Sequence, residues 1–186
     1  MEILNDLRLN LENNVSLISD RVDYFTNGIH SCKIILEVID QSLPYEDSLG
    51  VHFSKATRGY GGADVISYIG YETLKNNGFN LITKKALRDK ILYLFENTYR
   101  AMISFDETFK LHNTYHKEVV GDLLYNSKRH TLIPFDFTNL VNSKRYYASV
   151  TDHYNNYTWM REETLEGLNE TKRVLQLITE ELEMKK

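Results

Sequence analysis

Two histidines offer the clearest opportunity for chemistry in this sequence. His112 and His116 are four residues apart, so on a helix their side chains lie on the same face. Counting along the two helices predicted on either side of the Pro134 region places Tyr154, Tyr157 and Arg161 at the same level. We therefore predict that these five residues form a polar, ligand-binding layer inside an otherwise apolar protein.

The layer is open to three interpretations. Two imidazoles with the thiolate of Cys32, the only cysteine, could bind zinc or copper. Neither His112 nor His116 has a glutamate three residues before it, so the signature of di-iron bundles is missing. The layer could instead fix the register of the helices, with tyrosine hydroxyls meeting imidazoles, or it could line a small-molecule pocket. We predict no metal and no cofactor.

Other patterns give weaker signals. Arg58 with Gly59-Tyr-Gly-Gly62 resembles a phosphate loop, but it lacks the Gly-Lys-Ser or Gly-Lys-Thr ending, which favours a hinge. Asp152 and His153 are adjacent, and adjacent side chains point apart on a helix. No nucleophile elbow organises the serines. We therefore predict no catalytic residue and no enzyme activity.

Composition limits the classes of partner. The chain has 186 residues and a net charge of -4, which suits one domain and disfavours a general nucleic-acid binder. No apolar run approaches the 18 or so residues that a membrane-spanning helix needs. We predict an unknown protein partner or self-association, no nucleic acid, and membrane contact only through an anchor that this chain lacks.

Helical periodicity dominates the chain and fails at its two prolines, Pro44 and Pro134, which divide it into long proline-free segments. The predicted elements are a helix over 2–43, a connector over 44–63 with a helical turn near 48–56, a short helix over 64–76, a helix over 84–127, and a last helix from 138 or 142 to 183.

Each long helix has an apolar row with alternating steps of three and four. The first and third rows each contain one extra four-residue step, which would locally unwind a supercoil. The first row is Leu4, Leu7, Leu11, Val15, Ile18, Val22, Phe25, Ile29, Cys32, Leu36, Ile39 and Leu43. The third is Leu87, Ile91, Leu94, Thr98, Ala101, Phe105, Phe109, His112, His116, Val119 and Leu123. The last is Tyr147, Val150, Tyr154, Tyr157, Arg161, Thr164, Leu168, Thr171, Leu175, Ile178 and Leu182.

Such helices must bury their rows against one another. We predict an all-α fold: a single domain over 1–186, an antiparallel bundle of three long helices and one short helix in up-down-up-down order. A three-helix bundle with the short segment as a cap is the alternative. Between the short helix and the third, Gly78 is predicted to take a left-handed conformation and Thr83 to cap the next helix.

This corner, "YETLKNNGFNLITKKALRDKILYLFE", also resembles the central signature of an uncharacterised bacterial family of membrane-anchored helical proteins. The matching residues are Tyr71, Thr73, Leu74, Gly78, Leu81, Ile82, Leu87 and Arg88. Members of that family carry a transmembrane helix before a helical-bundle domain and have no established activity. The resemblance implies a domain displayed on the extracytoplasmic face of a bacterial membrane.

Two functions follow as hypotheses. The first is a non-catalytic sensor or interaction domain whose long helices transmit small shifts from a partner site near Pro44 and Pro134. The second is a metal- or small-molecule-binding bundle centred on His112 and His116.

Overall fold

A computed structural model describes residues 2–57, 66–128 and 130–184, without the side chains of 110–113 and 115. The described chain is mostly helical, which confirms the predicted all-α character. Its helices are α1 (Glu2–Asp40), α2 (Leu49–Thr57), α3 (Ile69–Asn77), α4 (Lys85–Tyr93), α5 (Tyr99–Leu123), α6 (Phe137–Asn142) and α7 (Lys144–Glu183). A π-helical turn, Leu94–Thr98, joins α4 to α5.

A two-stranded antiparallel sheet lies where a simple turn was predicted. β1 (Leu124–Lys128) pairs with β2 (Thr131–Pro134), so α5 ends at Leu123 rather than near residue 127. Packing explains the strands, because Gly50 of α2 lies directly against Thr131 and Leu132, where a Cβ would come within 2.7 Å of the Thr131 methyl. The covered hairpin thus gains a buried Leu132, which a free two-stranded ribbon would not have.

The corner after α3 has the predicted positive φ at its glycine, although its ψ of 130° is extended rather than left-handed helical, and it lacks the predicted cap. Gly78 has a φ of 92°, a conformation that favours glycine because it carries no Cβ. The next helix begins at Lys85 with Lys84 at the N-cap position and no side-chain cap. The prediction that Thr83 caps this helix is therefore wrong.

The principal buried row of α1 differs from the predicted row. It keeps alternating steps of three and four throughout, so the predicted extra step after Leu11 is wrong. Asn14, Arg21 and Gly28 take core positions, while Val15 and Val22 are only partly buried beside them. The row comprises Leu4, Leu7, Leu11, Asn14, Ile18, Arg21, Phe25, Gly28, Cys32 and Ile35.

The same displacement by one residue occurs in α7. Its buried row is Tyr146, Val150, His153, Tyr157, Met160, Thr164, Gly167, Thr171, Val174, Ile178 and Glu181. Five of the eleven predicted positions lie in this row, and the predicted Leu168 and Leu182 are buried next to it. Tyr147, Tyr154 and Arg161 are wrong as core positions, because the side chains beside them point inward instead.

The π-helical turn accounts for the third row. A π turn contains an additional residue, which rotates the following helix relative to the preceding one. After the turn, Tyr99, Met102 and Asp106 are buried rather than the predicted Thr98, Ala101 and Phe105. The phase change therefore occurs within Leu94–Thr98 and not between Phe105 and Phe109.

The chain divides into two compact units. Unit 1 comprises Met1–Val22, Gly62–Asp106 and Glu162–Lys186, and unit 2 comprises Asp23–Gly61 and Glu107–Arg161. The core of unit 1 includes the stacked rings of Tyr71 and Phe95, whose centroids lie 4.4 Å apart. This division does not test the expectation of a single domain, which stays a prediction.

None of the helices in the described residues combines the length and the hydropathy needed to cross a lipid bilayer.

Candidate functional site

A polar cluster, buried except for the half-exposed side chain of Asp152, lies in unit 2 between α5 and α7. His116 is 1% exposed, and its Nδ1 lies 2.6 Å from the Ser149 hydroxyl. Its Nε2 lies 3.0 Å from Asp152 Oδ2. An ionised carboxylate only accepts hydrogen bonds, so Nε2–H donates to Asp152, and in the neutral ring Nδ1 accepts from Ser149. Both nitrogens of His116 are thereby satisfied.

His153 lies against His116 but makes no equivalent bonds. The two ring centroids are 3.8 Å apart, and His153 is 2% exposed. Neither of its nitrogens has a hydrogen-bond partner among the described residues. Burial, and then the proximity of His116, lower the pKa of His153 from its ordinary value near 6.5 to about 3. His153 is therefore a neutral imidazole in an aromatic and largely apolar site.

Asp152 and His153 both reach His116, although they are neighbours on one helix. Their side chains do point apart, as predicted, because Asp152 is about half exposed and His153 is buried, yet both contact His116. The Nε2 atom of His116 lies near Asp152 Oδ2, and the His116 ring lies against the His153 ring at an interplanar angle of 59°. Ser149, one turn earlier on α7, completes the set.

Serine, histidine and aspartate in hydrogen-bonded series are the residue types of a hydrolytic triad. Here Ser149 is 2% exposed and lies inside a 40-residue helix. Backbone N–H groups inside a helix are bonded to the preceding turn, so none is available beside Ser149 to stabilise an oxyanion. The geometry is that of an internal polar connection between α5 and α7.

The predicted site residues separate into different environments. His116 and Tyr157 belong to the cluster, since the ring of Tyr157 lies 5.4 Å from that of His153. Tyr154 and Arg161 contact α1 instead, through the ammonium group of Lys33 and the hydroxyl of Thr26 respectively. The side chain of His112 lies outside the described residues, as does the predicted glycine hinge at 59–62.

Cys32 lies in the interior of unit 2. Its sulfur is 3.9 Å from the carbonyl oxygen of Ala56. Burial raises the pKa of the Cys32 thiol to about 12, so it is protonated at neutral pH and a poor metal ligand. In the part of the chain that the structure describes, no group of three or more His, Cys, Asp or Glu residues is arranged to hold a metal ion.

Unit 1 contains a second polar connection, which the sequence interpretation missed. The Asn14 side chain donates to the Ser67 carbonyl at 3.0 Å and accepts from the Ser67 N–H at 2.9 Å. Asn14 also lies 3.4 Å from the hydroxyl of Tyr99, which in turn meets Thr171 Oγ1 at 3.0 Å. An isolated asparagine on an apolar row was the available signal.

Arg21 and Asp106 form a buried ion pair in the same unit. Both side chains are 2% exposed. The predicted rows contained their sequence neighbours, Val22 and Phe105, as the core residues. The ion pair was therefore not predicted. Buried charges occur in proteins when they are paired in this way.

An exposed aromatic pair marks the hairpin of unit 2. Phe135, directly after β2, is 66% exposed, and Tyr125 of β1 is 42% exposed. Their ring centroids are 5.0 Å apart. Leu43, before Pro44, is also exposed. Contiguous exposed apolar surface is a candidate for an interaction site, whereas single exposed apolar side chains are ordinary.

Comparison of the chain with protein-family models, with curated proteins and with solved structures gives no match. The resemblance to a family of membrane-anchored helical proteins therefore stays a prediction.

Proposed function

We propose that the chain is a non-catalytic sensor or interaction domain that binds a protein partner through its β1–β2 hairpin. The exposed Tyr125–Phe135 pair carries this proposal. Aromatic residues are enriched in the buried centres of interfaces, where their rigid rings bury a large area at little entropic cost. Phe135 is adjacent to Pro134, near which the sequence analysis expects a partner site.

The interior is consistent with such a role. The polar groups of the His116 cluster form hydrogen bonds with one another. The side chain of Asn14 likewise forms its hydrogen bonds with residues of unit 1. Polar connections of this type specify which helix faces meet. Helices of 39 and 40 residues, each about 60 Å long at 1.5 Å per residue, would carry small displacements away from the partner site.

Site-specific crosslinking tests the partner site. A photoreactive residue at position 135, in cells that make the protein naturally, should give a discrete crosslinked product that Tyr125→Ser removes. The matched control is the same photoreactive residue at Leu9, an exposed apolar position on α1. A product of twice the chain mass would assign the partner as a second copy. No product, or the same product from both positions, would refute the proposal.

We further propose the finer arrangement that the sequence predicts, a four-helix bundle in up-down-up-down order on the extracytoplasmic face of a bacterial membrane. The location rests on the family resemblance alone. A cysteine at Leu9 in a Cys32→Ser background should react with a membrane-impermeant maleimide in intact cells. Labelling only after permeabilisation would contradict that location.

A binding bundle centred on His116 is the second candidate. The observation in its favour is His153, whose buried nitrogens have no partner among the described residues and lie beside a second imidazole. Zinc added to the purified protein should then raise its melting temperature, and His153→Phe should abolish the shift. The same melting curve with and without zinc would exclude the metal form of this candidate.

A further inference from the structure

A groove of about 790 Å³ runs along unit 1 between α7 and the continuous segment formed by α4, the π-helical turn and α5. Its size is in the range of small-molecule sites. Ala101, Met102 and Phe105 supply apolar surface from α5, and Gly167 supplies it from α7. Gly167 lets the two helices approach closely here, since a Cβ would lie 2.4 Å from the sulfur of Met102 and would force that side chain to move.

The π-helical turn forms part of the wall. Glu96, Asn97 and Thr98, all within the turn, line the groove. π-Helical turns inside α-helices are rare and occur frequently at functional sites. Here the turn also changes which residues of the following helix face α7, so it determines the lining of the groove below it.

Among the described residues, some of the carboxylates that line the groove are paired with basic side chains, and others are not. Lys90 and Arg173 each lie 3.3 Å from a carboxylate oxygen of Glu170. Glu96 accepts from Tyr71 at 2.6 Å and pairs with Arg100 at 2.6 Å.

Two further glutamates of α7, Glu163 and Glu166, also line the groove, and they precede Glu170 on that helix. No ion pair or hydrogen bond joins their side chains to another side chain among the described residues. The two are three residues apart on the helix, which places their Cβ atoms roughly 5–6 Å from each other. The groove therefore presents two available carboxylates beside a hydrocarbon surface.

We propose that this groove binds a linear aliphatic amine with at least two ammonium groups. Ammonium groups separated by three or four methylenes match the spacing of Glu163 and Glu166, and the intervening chain would lie on Ala101, Met102 and Phe105. The amide oxygens of Asn97 and Asn169 are additional acceptors within the lining. Charge complementarity and the apolar surface together favour this class over a bare metal ion, which has no hydrocarbon to bury.

Calorimetric titration of the full chain with spermidine tests the proposal. We expect saturable binding, weaker binding of butylamine, which has one charge, and no competition by magnesium at equal ionic strength. Glu163→Gln with Glu166→Gln should weaken spermidine binding by at least about tenfold, since each variant removes a charge-assisted hydrogen bond.

Glu162→Gln is the matched control, because Glu162 is exposed on the same helix and does not line the groove. It should leave the affinity unchanged. Ala101→Lys is an independent variant: Ala101 is exposed, lysine is also a good helix former, and its ammonium group would compete for the same carboxylates. It should abolish binding while the circular dichroism spectrum stays that of the unsubstituted chain.

Absence of saturable spermidine binding would overturn the proposal. So would equal weakening by Glu162→Gln, or an undiminished affinity in the Glu163, Glu166 double variant. The inference does not rest on the proposed partner site, because these variants leave Tyr125 and Phe135 intact and the two experiments fail independently.

Discussion

At the scale of single residues, His153 is the side chain whose chemistry differs most from its behaviour in water. It is buried against the rings of His116, Phe109 and Tyr157, and its nitrogens have no partner among the described residues. A charged imidazolium in this site would be desolvated and would lie beside another imidazole. The folded protein therefore excludes the proton.

The stability of the protein should depend on pH through His153. Its folded pKa of about 3 is below the ordinary value near 6.5, so the unfolded chain binds the proton more readily between these values. Stability is fully present above about pH 6.5 and falls as the pH drops toward 3, by up to about 1.4 kcal/mol per pH unit. Urea unfolding at pH 7 and pH 5 should show a loss of about 2 kcal/mol. His153→Leu should reduce that loss, and an equal loss in the variant would show that His153 is not its source.

The buried pair of Arg21 and Asp106 predicts an asymmetric mutational response. Asp106→Asn should destabilise the protein by about 3–5 kcal/mol, because it leaves a buried guanidinium without its counter-charge. The double variant Arg21→Met with Asp106→Leu should recover most of this loss, since it removes both charges. Urea unfolding of the three proteins measures the cycle. A single variant within 1 kcal/mol of the unsubstituted chain would contradict the argument.

At the scale of elements, the sequence predicts where the long helices lie. In α1 and α7, however, the predicted buried row is displaced by one residue at about every second position. Val15 and Val22 are apolar and are partly buried, so apolar periodicity alone assigns them to the core. Asn14 displaces Val15 because Ser67, far away in the chain, satisfies both polar atoms of its amide. No local pattern announces a partner 53 residues away.

The candidate site was only partly predictable for the same reason. His116 and Tyr157 were identified from helical spacing, and the structure places both beside His153. The predicted row of the last helix contains Tyr154 and not His153, because that row is displaced by one residue from the buried one. The β1–β2 hairpin was missed because its strands depend on α2, whose Gly50 packs against Thr131 and Leu132.

Glycines within the helices supply an element-scale prediction. A Cβ on Gly28 would lie 2.7 Å from two ring carbons of Tyr157, whose ring is fully buried. Gly28→Ala should therefore cost about 1–3 kcal/mol by overpacking, less the roughly 1 kcal/mol that alanine gains in helix propensity. Gly121→Ala is the matched control, since nothing lies within 4 Å of its Cβ position, and it should stabilise α5 by up to about 1 kcal/mol.

Thermal unfolding of both glycine variants is the appropriate measurement. The account requires opposite signs, with a lower melting temperature for Gly28→Ala and an equal or higher one for Gly121→Ala. Two increases would mean that Tyr157 moves away easily and that the close approach of α1 and α7 at this point is not a constraint.

At the scale of the whole molecule, each unit has its own internal polar connection between helices. Unit 1 has Asn14, Tyr99 and Thr171, and unit 2 has His116, Ser149 and Asp152. Except for Asp152, which is exposed, these polar residues are buried among apolar ones, and each connection joins side chains of different helices. Both proposed binding sites, the aromatic pair in unit 2 and the acidic groove in unit 1, therefore lie on the surface rather than at these connections.

The most direct test of this account compares neighbouring residues on the same helix. Asn14→Asp places a carboxylate against the Ser67 carbonyl, whereas Val15→Asp places one at a partly exposed position. Likewise His153→Asp charges the core, and Tyr154→Asp charges the boundary. Urea unfolding should show the first member of each pair to be the more destabilising by at least about 2 kcal/mol. If Val15→Asp and Tyr154→Asp were instead the costlier changes, the polar rows would lie outside the core and the account would fail.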